Sequence, residues 1–273
     1  MALSARTQAA RIEPVAGCSE RTNVDLMDAS GSPNSNREYY DAFSEGYESR
    51  RGRNAPGGYH ELLDELESEF VARFGRGRDV LEVGCGTGLV LQRIQGFART
   101  ARGIDLSPGM LVHARERGLD VSEGSATELP FPDDSFDVAC SFKVLAHVPD
   151  IQRALSEMVR VTRPGGHVVA EFYNPQSIRG LVKRYGPAGA IAPGANERNV
   201  YTRFDSRRDV EAMLPPSAKL VAARGVRIVT PAAVVFDFPV LRSVFRAAER
   251  ALCDTRLGNY GGFWIAAIEK RPG

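Results

Sequence analysis

Three glycines at alternate positions, placed directly after a short apolar run, most constrain how this chain folds. The run spans Val80–Val83 and is β-branched and leucine-rich. Gly84, Gly86 and Gly88 separate it from the helix-forming run that follows. Because glycine has no Cβ atom, such a turn adopts positive φ and lets a ligand approach the backbone closely. The pattern predicts a strand, a tight turn and a helix N-terminus whose N–H groups face a ligand.

Strand-like and helical runs alternate beyond this turn. Apolar runs of strand length are separated by amphipathic helical runs as far as residue 172, which implies a parallel sheet with helices on both faces. Two more strands are predicted at Leu220–Val229 and Phe263–Glu269, the second of them antiparallel. The predicted fold class is therefore α/β: a Rossmann-like, seven-stranded, mostly parallel sheet with strand 7 antiparallel and with lid insertions.

The composition favours a small-molecule ligand. The formal net charge is +1 at pH 7, so the charge balance indicates neither nucleic acid nor an anionic membrane surface as a partner. Four scattered cysteines form no Cys-x-x-Cys pair, and this predicts no metal site and no disulfide framework. Without a membrane-span pattern or a secretory signal, we expect a cytoplasmic monomer or homodimer.

The length of 273 residues predicts one core domain with additions. The first 36 residues are rich in Ala, Ser, Gly and Asn, which is typical of a disordered tail. The predicted organisation is a tail at 1–36 and a domain at 37–273, with an N-terminal lid and helix at 37–75, a cofactor-binding core at 76–172, and substrate-cap insertions at 173–205 and 230–260.

The glycine turn resembles motif I of class I methyltransferases that depend on S-adenosyl-L-methionine (SAM). A dinucleotide fingerprint runs Gly-x-Gly-x-x-Gly, whereas this turn runs Gly-x-Gly-x-Gly with Glu82 two residues before its first glycine. Two later stretches are similar to the same family: Asp105-Leu-Ser-Pro-Gly-Met110 and the loop Leu129-Pro-Phe-Pro-Asp-Asp-Ser-Phe-Asp137. The resemblance spans about residues 76–172, and it implies SAM as cofactor with S-adenosyl-L-homocysteine as product.

The resemblance also assigns candidate cofactor contacts. It implies that Glu82 indirectly supports the ammonium group of SAM, and that Asp105, at a strand end, accepts hydrogen bonds from both ribose hydroxyls. Ser125 stands where the family usually has an aspartate that binds the adenine amino group, and a serine hydroxyl can accept as well. The predicted cofactor contacts are Glu82, Gly84, Cys85, Gly86, Gly88, Asp105, Leu106, Met110, Ser125, Ala126, Phe142 and Tyr47.

An aromatic stretch near the N-terminus is a candidate lid. Tyr40, Phe43 and Tyr47 share one face of a predicted helix. Relatives carry a similar stretch over the cofactor, so a lid is favoured over a helix that only packs against the domain. Tyr40 is a candidate catalytic residue, as a polar contact from the lid to the substrate.

His147 is the main candidate for a general base. It follows the fourth predicted strand, close to where substrate should enter, and the ordinary pKa of histidine is about 6.5. A structural histidine that caps the following helix explains the sequence equally well. Lys143 and Arg203 belong to a set of basic residues that either steer an anionic substrate or lie solvated at the surface.

The predicted activity is methyl transfer from SAM to a small-molecule acceptor by in-line SN2 displacement. The acceptor class suggested by the resemblance is a secondary metabolite or a quinone-like aromatic. One alternative is an NAD-dependent oxidoreductase, which the glycine spacing disfavours. Another alternative is a non-catalytic SAM-binding or interaction protein. Ser125 and Ala146 favour it, because relatives often have acids at those two positions.

Overall fold

The structure is a computed structural model. It describes residues 41, 44, 46, 47, 57–177, 190–192, 195–196 and 202–272. The predicted tail at 1–36, the candidate residue Tyr40 and a short helix predicted at Ile178–Arg184 lie outside the described residues.

A seven-stranded sheet forms the centre of the molecule. In chain order the strands are β1 (Asp79–Val83), β2 (Thr100–Asp105), β3 (Asp120–Glu123), β4 (Phe136–Ser141), β5 (Thr162–Tyr173), a separate short pair β6 (Ala190–Ala192) and β7 (Ala195–Asn196), then β8 (Ala218–Val226) and β9 (Phe263–Lys270). The order within the large sheet is β3-β2-β1-β4-β5-β9-β8.

Strands β1 to β5 pair in parallel, and β9 pairs antiparallel with both β5 and β8. The predicted fold class is therefore confirmed, with β9 as the antiparallel seventh strand. The strand order reverses between β1 and β4, because β2 and β3 extend to one side and β5 to the other. In open α/β sheets, ligands bind at the carboxyl edge of such a reversal.

Six helices connect or flank the strands in the described part of the chain: α1 (Tyr59–Gly75), α2 (Leu89–Gln95), α3 (Pro108–Glu116), α4 (Ile151–Val161), α5 (Arg207–Met213) and α6 (Pro239–Leu252). Helix α1 buries Leu66 and Phe70 against one face of the sheet, and α4 buries Leu155 and Met158 against the other. At about 1.5–3 kcal/mol for each fully buried large apolar side chain, these contacts fix the helices on the sheet.

Strand β8 ends earlier than predicted. The sequence pattern extended it to Val229, but β8 spans Ala218–Val226. The buried carboxylate of Glu249 accepts hydrogen bonds from the backbone N–H groups of Ile228, Val229 and Thr230, each at 2.9 Å. These donors are therefore not available to a neighbouring strand, and the chain leaves the sheet towards α6.

Candidate cofactor site

A cavity opens at the carboxyl edge of the sheet, where the strand order reverses. It lies between the ends of β1, β2 and β4, and eleven of the twelve predicted cofactor contacts line it. These are Tyr47, Glu82, Gly84, Cys85, Gly86, Asp105, Leu106, Met110, Ser125, Ala126 and Phe142. The topology thus brings residues from five separate stretches of sequence to one place.

The glycine turn adopts the backbone conformation that the sequence predicts. Gly84, Gly86 and Gly88 have φ values of +75°, +54° and +84°. A Cβ atom at Gly84 would lie 2.4 Å from a methyl group of Val144, whereas a Cβ at Gly86 would have no protein atom within 4 Å. Gly84 is therefore required by packing between β1 and the turn after β4, and Gly86 faces the open cavity.

Gly88 has a different environment from the other two glycines. It is the N-cap of α2, and a Cβ there would lie 2.3 Å from the Leu119 side chain. Among the predicted contacts that the structure describes, it is the one that does not line the cavity. Packing of α2 against Leu119 is a sufficient reason for glycine here, and its contact with a cofactor stays a prediction.

Asp105 is held at the edge of the cavity by backbone donors. Its Oδ2 accepts a hydrogen bond from the Gly86 N–H at 2.8 Å, and its Oδ1 accepts one from the Ser107 N–H at 2.9 Å. Burial raises the pKa of Asp105, although the backbone hydrogen bonds counteract this effect. The carboxylate is thereby fixed between the glycine turn and the N-terminus of α3.

Glu82 places a second buried acid in the lining of the cavity. The residue is 3% exposed, and within the described part of the chain its Oε2 atom has no hydrogen-bond partner. Burial raises the pKa of Glu82 well above its ordinary value. Because a nearby cation favours the ionised form of a carboxyl group, this orphaned oxygen fits a site that receives a positively charged ligand group.

Ser125 and Ala126 form the wall at the end of β3. The Ser125 hydroxyl lies 2.9 Å from the Thr127 hydroxyl and accepts a hydrogen bond from the Thr127 N–H at 3.3 Å. Met110, which is 4% exposed, lines the same cavity from α3. An apolar surface beside a polar rim suits a flat heterocyclic ring.

Lys143 belongs to a buried ion-pair cluster, and the prediction that it is either a steering or a solvated residue is wrong. Its ammonium group lies 3.2 Å from Asp64 Oδ1 and 2.7 Å from Glu67 Oε1 of α1. Both acidic side chains are almost fully buried. Lys143 has a φ of +61°, unusual for a residue with a Cβ atom, and the cluster holds the turn after β4 in this conformation.

Glu171 completes this cluster and was missed by the sequence analysis. It is 2% exposed, and burial raises the pKa of its carboxyl group, with the charge of Lys143 opposing the shift. The available signal was an acid flanked by apolar residues inside β5, since a charged residue at such a position is rarely buried without a partner.

Arg203 is likewise not a steering residue. Its guanidinium group donates hydrogen bonds to both carboxylate oxygens of Asp205, at 2.8 and 2.6 Å. Its backbone N–H donates to the Ala146 carbonyl at 3.0 Å. Residues 203–205 are therefore fastened beside the short helical turn Leu145–His147 that carries the candidate base.

His147 also lines the cavity. Its ring lies edge-on to Tyr173 with 5.9 Å between ring centroids, and Tyr173 also contacts Phe204 and Phe263. The N-cap of α4 is Asp150, whose carboxylate accepts from the Arg153 N–H at 3.1 Å. The N-cap of this helix is thus Asp150 and not His147, and the role of His147 as a general base stays a prediction.

Several residues that line the cavity were not singled out from the sequence as cofactor contacts. They are Thr87, Leu89, Val90, Gly124, Thr127, Lys143, Val144, Val148 and Pro149. Most lie within a few residues of a predicted contact, so the predicted motifs locate the cavity more accurately than they define its lining.

Two kinds of feature are absent from the described residues. These residues hold no group of three or more His, Cys, Asp or Glu side chains arranged to hold a metal ion. No helix in this part of the chain combines the length and the apolar character that crossing a membrane requires.

Comparisons with known proteins agree with the geometry of the cavity. Residues 81–170 match the methyltransferase domain family. A probable S-adenosylmethionine-dependent methyltransferase from Mycolicibacterium smegmatis is 44% identical over 104 residues, 37% of this chain and 40% of that protein. A demethylmenaquinone methyltransferase from Mycobacterium marinum is 42% identical over 106 residues, 38% of this chain and 46% of that protein.

The matches thus span less than half the length of these curated relatives. Among solved structures, a SAM-dependent methyltransferase from Thermotoga maritima, described as a possible histamine N-methyltransferase, aligns with a TM-score of 0.61 at 19% identity. The alignment covers 86% of this chain and 99% of that one. At this identity the similarity shows the fold.

Proposed function

We propose, from the match of residues 81–170 to the methyltransferase domain family, that the protein is a SAM-dependent methyltransferase acting on a small-molecule acceptor. The observation that carries this proposal is the cavity at the strand reversal, which has Glu82 and Asp105 on its walls and Gly86 at its base. Two acids and a left-handed glycine turn match a ligand that combines a cationic group with vicinal hydroxyls.

Each part of the cavity has a distinct role in holding SAM. Asp105 accepts hydrogen bonds from the ribose hydroxyls, Glu82 provides negative charge near the methionyl ammonium, and Ser125 with Met110 borders the adenine. When bound, SAM supplies an electrophilic methyl group on a sulfonium. The protein's task is to hold the acceptor in line with that group and to exclude water.

We further propose an aromatic acceptor of the quinone class, bound in its reduced hydroquinone form. Demethylmenaquinone methyltransferases are among the relatives, and the aromatic side chains of Tyr173, Phe204 and Phe263 pack in one group next to His147. A quinone ring is electron-poor, whereas a hydroquinone that loses a hydroxyl proton becomes nucleophilic at its ring carbons.

His147 takes the role of general base in this scheme. It accepts the hydroxyl proton from the acceptor, which raises electron density at the adjacent ring carbon. The new carbon–carbon bond forms as the methyl–sulfur bond breaks. The ring then loses the proton from the methylated carbon to solvent, and the imidazolium of His147 returns the first proton to the acceptor oxygen, which restores the hydroquinone. Methyl group and charge are balanced, with S-adenosyl-L-homocysteine and one released proton as co-products.

Methyl transfer from radiolabelled SAM tests the proposal. The purified protein is incubated with a short-chain demethylmenaquinone under reducing conditions and, in parallel, with the oxidised quinone. We expect label in the organic phase from the reduced acceptor alone. Label in neither sample, with SAM binding intact, would contradict the quinone acceptor; absence of SAM binding would contradict the methyltransferase proposal itself.

A further inference from the structure

Helix α6 has its charged side turned towards the domain. All four of its charged side chains bond to other parts of the chain. Arg246 and Arg250 pair with Glu65 of α1, and the buried Glu249 carboxylate accepts from the backbone N–H groups after β8. Arg242 donates its Nε–H at 2.8 Å to a backbone carbonyl oxygen of the turn before α6. Surface helices of globular proteins normally direct their charged face to water, so α6 is reversed in this respect.

The opposite side of α6 is apolar and exposed. It carries four aliphatic side chains at spacings of four, three and four residues, named here the outward stripe: Val240, Val244, Ala247 and Ala251. These spacings place the four side chains in one line along an α-helix. Val240 is 75% exposed and Val244 is 57% exposed, and both alanines are exposed as well.

The surface around the outward stripe is also free of charge. The side of α6 that faces away from Glu249 contains Val, Leu, Ser and Ala residues alone. Val234 and Phe238, just before the helix, are exposed too. Single exposed apolar residues need no explanation, but a continuous apolar surface indicates an interaction site. The outward stripe is therefore a surface that another molecule covers.

The outward stripe lacks the features of a membrane-binding helix. Such helices combine an apolar face rich in Trp, Phe and Leu with a polar face whose Lys and Arg side chains reach the lipid headgroups. The stripe consists of valine and alanine, and the arginines of α6 are bonded to acids and a carbonyl oxygen of the domain. This composition favours a protein partner.

Side-chain size changes along the outward stripe in a way that fits a second copy of the same helix. The two valines occupy its N-terminal half and the two alanines its C-terminal half. In an antiparallel pair with a two-fold axis midway between positions 244 and 247, Val244 faces Ala247 of the second copy. The same axis brings Val240 opposite Ala251 of the second copy, so each large side chain meets a small one.

A parallel pair of these helices would be less complementary. Valine would then face valine at one end and alanine would face alanine at the other, which leaves a gap between the C-terminal halves. Close packing without such gaps is what stabilises a protein contact. A two-fold interface requires one patch that is complementary to itself, and the outward stripe meets this requirement only in the antiparallel direction.

We propose that the outward stripe is the contact surface of a homodimer, in which two α6 helices pack antiparallel about a two-fold axis at the middle of the stripe. The inference does not depend on the proposed function. Helix α6 has 14 residues, so a pair of these helices makes a contact about 21 Å long. Such a contact buries less than the roughly 1,600 Å² of a standard interface, and we therefore expect a weak dimer that dissociates in the micromolar range.

Sedimentation velocity on the full chain measures the association. Between about 1 and about 100 μM, the range in which a weak interface dissociates, we expect a monomer–dimer equilibrium. Val244→Glu places a charge at the middle of the stripe and should weaken association at least about tenfold, because the buried carboxylate has no partner. Val112→Glu is the matched control, since it makes the same change at a valine of α3 that is 50% exposed. It should associate like wild type.

A second charge variant keeps the test valid if Val244→Glu does not fold. Ala247→Glu alters the other residue next to the proposed axis and should weaken association to a similar extent. Both side chains are exposed in the single chain, so thermal unfolding of the two variants should resemble that of wild type.

Cysteine cross-linking tests the antiparallel direction. The variants are made in a Cys18→Ser background, and the other three native cysteines are buried. A mixture of Val240→Cys and Ala251→Cys proteins should form intermolecular disulfides under mild oxidation, whereas each variant alone should form few. Cross-linking of each variant with itself, and not in the mixed pair, would overturn the antiparallel arrangement.

Three other results would overturn the dimer itself. The first is a wild-type protein that stays monomeric over the whole concentration range. The second is equal association of wild type and both charge variants. The third is monomeric wild-type protein that binds vesicles of phosphatidylglycerol and phosphatidylethanolamine and loses this binding in Val244→Glu, which would assign the outward stripe to a membrane surface.

Discussion

Single side chains at strand ends determine the chemistry of the proposed site, and Asp105 is one whose orientation is fixed by hydrogen bonds. Its carboxylate is fixed by the N–H groups of Gly86 and Ser107, which leaves its orientation little freedom. A fixed acceptor loses less conformational entropy when a ligand binds than a mobile one does. The proposed contact between Asp105 and the ribose should therefore contribute strongly to affinity.

Asp105→Ala should weaken SAM binding by about 2 kcal/mol or more, because two hydrogen bonds to a charged acceptor are lost. Titration calorimetry measures the change directly. Glu123 occupies the matching register position on β3 and is exposed, so Glu123→Ala is the control and should bind SAM like wild type. An unchanged dissociation constant in Asp105→Ala would remove this residue from the site.

His147→Ala should lower turnover by about a hundredfold, the usual contribution of a general base, while SAM affinity stays the same. Steady-state kinetics with the acceptor, alongside calorimetry, tests both parts. His113→Ala removes an exposed imidazole from α3 and should change neither quantity. Full turnover by His147→Ala would mean that the acceptor loses its proton without this residue.

The residues that sequence analysis located best are those in local motifs. Glu82, Gly84 and Asp105 follow from their positions at strand ends, which the apolar pattern marks. Lys143 was misjudged because its partners, Asp64 and Glu67, lie 79 and 76 residues earlier in the chain. No local pattern reveals a partner at that separation.

At the scale of elements, the turn between β1 and α2 must adopt a left-handed backbone and must also leave space for a ligand. Substitutions of two glycines can separate these two requirements. Gly86 and Gly77 both have positive φ, +54° and +70°, and a Cβ at either would have no protein atom within 4 Å. Gly86 lines the cavity, whereas Gly77 lies in the turn before β1. Replacing either glycine with alanine should therefore impose a similar conformational strain on the backbone.

Gly86→Ala and Gly77→Ala should each lower the free energy of unfolding by about 1 kcal/mol, the cost of a left-handed conformation for a residue with a Cβ atom. Gly86→Ala alone should also weaken SAM binding, because its Cβ enters the space where the ligand lies. Denaturant unfolding and calorimetry on the two variants give the comparison. Equal SAM affinities would show that the ligand does not approach this turn closely.

Local spacing accounts for some features of the helices, whereas distant contacts decide others. The buried stripe of α4 and the helix caps Ser107 and Ser206, which accept from the backbone N–H three residues further on, follow from local spacing. The end of β8 does not follow from local spacing. The backbone N–H groups after it donate to the Glu249 carboxylate in α6, which lies about twenty residues further along the chain. Side chains that bond to backbone groups of another element are a recurrent reason for such boundary errors.

At the scale of the whole molecule, ion pairs fasten α6 and the chain after it to α1 and β8. Arg246 and Arg250 contact Glu65, and Asp254 pairs with Arg73 and with Arg224, a buried residue. Burial alone would raise the pKa of Asp254, but the hydrogen bonds from Arg224 and Arg73 lower it to about 2. This pairing links the stability of the fold to pH.

A carboxyl group with a lowered folded-state pKa stabilises the protein above its unfolded pKa of about 3.9, and the contribution disappears as the pH falls towards 2. Asp254→Asn should therefore cost about 1 kcal/mol at pH 7, allowing for solvent screening of this partly exposed group. The difference from wild type should shrink below about pH 4. Urea unfolding from pH 7 to pH 3 measures it; a difference that does not vary with pH would contradict the assignment.

The topology was the most predictable feature of the whole molecule. Alternation of strand and helix patterns indicates a parallel sheet, and the antiparallel direction predicted for the last strand is confirmed. Where the insertion between β8 and β9 packs on the domain was not predictable. Its helix α6 contacts α1 through ion pairs such as that between Arg250 and Glu69. Exposed charges carry little information about their partners.

The proposed function depends on SAM binding in the cavity at the reversal between β1 and β4. Calorimetric titration of the purified protein with SAM, S-adenosyl-L-homocysteine and NAD tests it most directly. We predict micromolar binding of the first two ligands, with the product bound more tightly, and no binding of NAD. Binding of NAD without binding of SAM or its product would contradict the proposed function.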